Sequence, residues 1–144
     1  MSNKWNMRFL RMAEMVSDWS KDPSTKVGVV LVKDRKIVAT GYNGFPEGIA
    51  DDDRLNNREK KYALVVHAEM NALLQAGHDS RGSTLYLWGF AGCPCQNCTK
   101  HVIQAGVRKV VYYDGVPPPE RWADELAAAR LTLEEAGVEI EPCS

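Results

Sequence analysis

The second half of the chain alternates short apolar runs with amphipathic stretches, and this alternation constrains the fold most. Thr84–Trp88, Val107–Tyr112 and Val138–Glu141 read as strands. Cys95–Ala105 and Glu120–Ala136 read as the helices between them, closed by Gly106 and Gly137. Helical crossovers of this length join parallel neighbours. The first half has a different pattern. From Asn3 to Ser20, the residues Trp5, Phe9, Met12, Val16 and Trp19 recur at spacings of three and four. That spacing predicts one apolar face of a helix ended by Pro23. Val27–Val32 is a continuous apolar run, the signature of a buried strand. The polar turn Lys33-Asp34-Arg35-Lys36 leads to a second strand, Ile37–Thr40, so these two form an antiparallel hairpin. Another helix is expected over Ala68–Ala76, closed by Gly77. The expectation is an α/β fold with a mixed sheet and helices on its faces. The order of the strands does not follow from the pattern.

At 144 residues, the chain suits one domain, residues 1–144. The formal net charge of -1 provides no global basic field, which argues against a stable nucleic-acid partner. No stretch is long and apolar enough to span a membrane. The segment Met1–Leu10 carries Asn3, Lys4, Asn6 and Arg8 and has no secretory apolar core, so a cytoplasmic location is expected. In that compartment cysteines stay reduced. Three of the four cysteines, Cys93, Cys95 and Cys98, fall close together, which signals metal or redox chemistry more than a disulfide framework. Gly41 to Lys61 holds several glycines, Pro46 and the run Asp51-Asp52-Asp53, and reads as a long loop.

Two segments carry candidate chemistry: His67-Ala68-Glu69 and Pro94-Cys95-Gln96-Asn97-Cys98. Two cysteines separated by two residues can place both sulfurs on one ion from the first turn of a helix. His67 also stands at the start of an expected helix, so two helix N-termini could face one point. One imidazole and two thiolates leave the fourth position of a tetrahedral zinc open, as in catalytic sites. Zinc lowers the pKa of water from about 15.7 to about 7. Glu69 would lie beside the metal without ligating it and could carry protons between water, a ring nitrogen and a leaving amine. Each piece has a plainer reading. His67 alone could be a cap or packing residue, Glu69 a first-turn carboxylate, and the cysteines a redox pair or half of a structural zinc site. Cys143 and His101 are the remaining candidates to complete such a closed site.

The ordered pattern His-x-Glu followed by Pro-Cys-x-x-Cys is that of the zinc deaminases. With its flanking segments the chain resembles the deoxycytidylate (dCMP) deaminase family of the cytidine deaminase superfamily. The flanks are Ser20–Gly28, Gly41-Tyr42-Asn43-Gly44-Phe45-Pro46-Glu47-Gly48, His67–Ala72, Ile103–Val107 and Ala128–Val138. The resemblance implies a three-layer α/β/α fold with a five-stranded mixed sheet, assembled as a homo-oligomer and often a hexamer. It implies His67, Cys95 and Cys98 as zinc ligands, Glu69 as the proton shuttle, and Asn43 and Ala68 as substrate contacts. It implies hydrolysis of dCMP to dUMP and ammonia. It further implies dCTP and dTTP as effectors near the loop Gly41, Tyr42, Asn43 and Gly44, with Mg2+ accompanying the effector. Other cytosine nucleotides or nucleosides (dCTP, cytidine) and a non-catalytic zinc-binding module are the alternatives.

The chain departs from the family pattern in two places. Trp88-Gly89-Phe90-Ala91-Gly92-Cys93 forms a short insertion before Pro94, and Trp88 or Phe90 could stack on a base or belong to the core. Between Ile49 and Tyr62 the cysteines and histidines of a second, structural zinc are missing, which predicts one zinc per chain. Arg54, Arg58, Lys60 and Lys61 form a basic cluster that either meets a phosphate or faces solvent. Tyr112, Tyr113, Arg121 and Trp122 are further candidates for the pocket wall.

Overall fold

The computed structural model describes residues 3–89 and 94–144. Their strands are β1 (Gly28–Lys33), β2 (Lys36–Tyr42), β3 (Thr84–Trp88), β4 (Lys109–Tyr113) and β5 (Glu139–Cys143). The α-helices are α1 (Asn3–Ser17), α2 (Arg58–Leu64), α3 (Ala68–Ala76), α4 (Gln96–Gln104) and α5 (Ala123–Glu135). The sheet order is β2-β1-β3-β4-β5. β1 is antiparallel to both β2 and β3, while β3, β4 and β5 run parallel. The mixed sheet is thus as expected, and its order places the hairpin strand β1 beside β3.

Alternation along the strands gives the sheet two buried faces. Val29, Leu31, Leu85, Leu87 and Val110 turn to one side, where Ala68, Ala72, Val102, Ala129 and Leu133 of α3, α4 and α5 cover them. Val30, Val32, Tyr86 and Val111 turn to the other, beneath Phe9, Leu10, Ala13 and Val16 of α1. One helix on one face and three on the other make a three-layer α/β/α arrangement. Two glycines let helices approach the sheet closely. A Cβ on Gly28 would lie 2.0 Å from the Ala13 carbonyl oxygen, and one on Gly41 would lie 2.3 Å from that of Ala68. The hairpin turn places Asp34 and Arg35 both at positive φ, 53° and 62°. The free edge of β2 is covered by α3: the Thr40 N–H donates to Gln75 and the Asn71 amide donates to the Tyr42 carbonyl.

Three details correct the sequence reading. α1 ends at Ser17, and its buried stripe is Asn6, Phe9, Leu10, Ala13, Val16 and Ser17. Met12 and Trp19 lie outside that stripe and are exposed, because the small Ala13 faces Gly28 and fixes the rotation of the helix. β2 extends through Gly41 and Tyr42, so the expected long loop begins later. Within it stand a 3-10 turn, Asp53–Asn56, and α2, each started by a side-chain cap. Asp52 accepts from the Arg54 N–H and Asn57 from the Lys60 N–H.

Candidate active site

The register sets the location of the site. Gly28 pairs with both Tyr42 and Trp88, so the start of β1, the end of β2 and the end of β3 share one edge of the sheet. The segments entering or leaving that edge carry the chemistry. This is the carboxyl end of parallel β3 and β4, where open α/β sheets leave a crevice for ligands. His67 and Cys95 are the N-cap residues of α3 and α4, both in extended conformation with no side-chain cap bond of their own. Their side chains are therefore free to turn toward each other. Cys98 follows in the first turn of α4.

The His67 Nδ1 lies 3.2 Å from the Cys98 Sγ and 3.6 Å from the Cys95 Sγ. All three potential ligand atoms lie within 4.8 Å of one another. Tetrahedral zinc with Zn–S near 2.3 Å and Zn–N near 2.0–2.1 Å would set such N···S edges at about 3.6 Å. The donor set and its spacing fit zinc. The charges fit as well. The Cys95 thiol is held well below its ordinary range, first by a hydrogen bond from Cys98 and then by His67, against the cost of burial. Cys98, the donor in that bond, is buried and pushed upward. His67 is raised by its hydrogen bond to Cys95, opposed by burial. One proton therefore leaves the sulfur pair readily, and the second is held until a cation replaces it.

Glu69 stands in the first turn of α3 and is 6% exposed. Burial, followed by the Cys95 charge, raises its carboxyl to about 7, while its own backbone N–H and His67 pull the other way. A carboxyl group with this pKa can both accept and return a proton near neutral pH. Glu69, His67 and Cys95 open onto one cavity of about 660 Å³, a size that suits a small-molecule ligand.

The remaining candidates divide clearly. Asn43 and Ala68 line the cavity, as do Arg58, Lys61, Arg121 and Trp122. The Asn43 amide donates to the Thr25 carbonyl and accepts from the Val27 N–H, both at 2.9 Å, so it also braces the segment before β1. In the 41–44 loop, the Gly44 N–H pairs with the Val66 carbonyl and the Asn43 N–H with that of Val27. Gly41 is needed for the approach of β2 to α3. Tyr42 ends β2 with its side chain 41% exposed, in edge contact with Trp19.

Other candidates fall elsewhere. Arg54 pairs with Asp52. Trp88 stacks on Tyr113 at 4.1 Å beneath α1, which makes it a core residue. Tyr112 packs against the opposite cluster and its hydroxyl accepts from Arg130. Cys143 is buried under α1 with its thiol on Asn3, and His101 bonds the Asn97 carbonyl of its own helix, so neither completes the metal group. Phe90 and Cys93 lie outside the described residues. Among the cavity residues not singled out in the sequence are two acidic ones, Asp22 and Glu125. Asp22 precedes Pro23-Ser24, a turn-forming combination that gave a local signal. Glu125 carried none beyond its place in the first turn of α5.

The comparisons agree with this geometry. Residues 3–114 match the model of the cytidine and deoxycytidylate deaminase zinc-binding region. The chain is 40% identical over 141 residues to an Aliivibrio fischeri deaminase encoded in the 3′ region of luxG, covering 97% of this chain and 94% of that one. It is 36% identical over 143 residues to human deoxycytidylate deaminase, covering 94% of this chain and 77% of the relative. The crystal structure of cyanophage S-TIM5 dCMP deaminase in complex with dCMP and dUMP superposes with a TM-score of 0.76 at 31% identity, covering 99% of this chain and 98% of that one. Sequence, fold and metal-ligand geometry thus agree, and the chain belongs to the deoxycytidylate deaminase family of zinc-binding deaminases.

Proposed function

We propose that this protein hydrolyses dCMP to dUMP and ammonia, with one zinc per chain held by His67 Nδ1 and the sulfurs of Cys95 and Cys98. The observation that carries the reading is that three ligand atoms lie within 4.8 Å of one another beside a buried carboxyl group on a cavity. When bound, the zinc supplies Lewis-acid chemistry that makes hydroxide available near neutral pH. The residues of the chain do the rest. Glu69 takes one proton from water and delivers it to the ring nitrogen of cytosine; it then takes the second proton from the hydroxyl now on the ring carbon and passes it to the departing amine, leaving the carbonyl and ammonia. Its position in the first turn of α3 keeps it close to His67 without competing as a ligand. Ala68, fully buried at the start of α3, presents the backbone that meets the base. Asn43 meets the nucleotide while bracing the 25–27 segment. Trp122 and Arg121, after the proline loop, wall the cavity against water.

The relatives named deoxycytidylate deaminase and the neighbour bound to dCMP and dUMP support this substrate. The same reading includes residues 1–144 as one domain, a homo-oligomer with a hexamer favoured, and a cytoplasmic location. It also includes dCTP and dTTP effectors, with Mg2+, at residues 41–44. Because the N–H groups of Asn43 and Gly44 are paired, an effector there would meet side chains such as Tyr42 rather than free amides.

Glu69→Gln tests the mechanism. The variant keeps its zinc content and its thermal midpoint but loses ammonia release from dCMP by about 10²- to 10⁴-fold, the range of a lost acid–base group. Turnover at the native rate in that variant would remove Glu69 from the reaction.

A further inference from the structure

Lys61 is the only buried lysine among the described residues. Its side chain is 10% exposed and that of its partner Asp22 is 6% exposed, with Nζ 3.2 Å from Oδ1. Lysines at such depth are rare, since taking an ammonium out of water is costly even when it is paired. The pair also does not saturate the ammonium. The same Asp22 Oδ1 accepts the Ser24 N–H at 2.8 Å and the Thr25 N–H at 3.2 Å. One carboxylate oxygen thus serves three donors, and its charge is spread among them. An ammonium has three N–H bonds, and among the described residues Lys61 donates only to Asp22.

We propose that Lys61, anchored by Asp22, is the anion-binding group of the cavity, which receives the phosphate monoester of the substrate and sets the preference for nucleotide over nucleoside. This rests on the cytosine-nucleotide reading above. Location supports it: Lys61 and Asp22 line the same cavity as Glu69 and His67, together with Ser24, Thr25 and Arg58. Rigidity supports it too. The Lys61 N–H donates to the Asn57 carbonyl, and its own carbonyl accepts from Val65. The next residue, Val66, is bridged to Gly44 by two backbone hydrogen bonds. A short braced segment therefore joins the lysine to His67. A charge fixed in this way keeps its orientation between turnovers, which is the basis of preorganised recognition. A latch that merely ties α2 to the 22–25 turn is the competing account, and it would affect every substrate alike.

The test uses the full zinc-loaded chain as wild type, as Lys61→Met, and as the double variant Asp22→Asn with Lys61→Met, which leaves no buried charge unpaired. kcat/KM is measured for dCMP and for deoxycytidine, the latter at high enzyme concentration, with dUMP as a product inhibitor. Both variants should lose about 10- to 100-fold in kcat/KM for dCMP and in dUMP affinity, the scale of one contact to a charged group. Deoxycytidine turnover should be unchanged. Equal losses on both substrates in both variants would show a structural latch and overturn the proposal. Wild type that prefers dCMP, with variants that keep the preference, would overturn the Lys61 assignment alone. Wild type that turns over deoxycytidine as well as dCMP would overturn the nucleotide reading, and this inference with it.

Discussion

The two faces of the sheet carry similar chemical groups and put them to opposite uses. On the side of α3, α4 and α5 stand Glu69, His67, Cys95 and Cys98. On the side of α1 stand Tyr86, Asn6, Glu141 and Cys143. In the second group every named polar atom is answered by another protein atom. The Tyr86 hydroxyl donates to the Asn6 side-chain oxygen, the Asn6 amide donates to Glu141, and the Cys143 thiol donates to Asn3. In the first group the ligand atoms converge on one another and open onto a cavity. Burial and thiol content are therefore not what distinguish a site. Convergence of groups that compete for one proton, beside an open space, is the distinguishing feature.

Breaking one member on each side gives the largest contrast. Cys98→Ala should abolish zinc binding and lower activity by about 10³-fold or more, because water then keeps its ordinary pKa near 15.7. Cys143→Ala should keep zinc and full turnover and cost about 1 kcal/mol of stability, as for a lost buried thiol contact. Metal analysis with steady-state rates checks both, and equal losses of activity would erase the distinction.

Packing is the next measure, and here the faces should behave alike. Gly28→Val and Gly41→Val each place a Cβ within 2.0 Å and 2.3 Å of a helix carbonyl oxygen. Each should destabilise by about 3 kcal/mol or more, as over-packing against backbone does. Denaturant midpoints measure this. A smaller loss for Gly41→Val would mean that α3 can shift, and that His67 and Glu69 are held less firmly than supposed.

A smaller effect is expected from Asn6→Ala, which removes one hydrogen bond from the Tyr86 hydroxyl and one from Glu141. It should cost about 1–2 kcal/mol, the net scale of the lost hydrogen bonds, with kcat unchanged. The smallest effect concerns pH. Burial, then the Glu141 and Cys143 charges, push the Tyr86 phenol up to about 12. The unfolded chain releases that proton near 10, so the contribution of Tyr86 is whole below pH 10 and falls away as pH rises toward 12. Tyr86→Phe should flatten this part of the stability profile, and an unaltered slope would show that Tyr86 does not titrate with folding.

Much of this was legible in the sequence. Periodicity gave the α3 span, the hairpin and the parallel second half, because each is a local pattern of 3.6 or 2 residues. The His67, Cys95 and Cys98 group and Glu69 were legible because short fixed spacings at helix starts determine which side chains share a turn. α2 was missed because it has one buried residue, Lys61, among seven, so it carries no apolar stripe. The rotation of α1 was misjudged because large Met12 and Trp19 outweighed small Ala13 in the pattern, whereas contact with Gly28 decided it. Asp22 could not be matched to Lys61, because 39 residues separate the partners and no local rule links them.

The sequence by itself determined which groups the chain can offer: one imidazole, two sulfurs and a carboxylate, each fixed to the first turn of a helix by spacing along the backbone. Only the tertiary structure decided that these turns meet. The antiparallel insertion of β1 between β2 and β3 brings the 22–27 turn, the end of β2 and the end of β3 to one edge. The physical reason is range. Helix and strand periodicity act over a few residues, whereas strand order is settled by which packing buries both faces of the sheet.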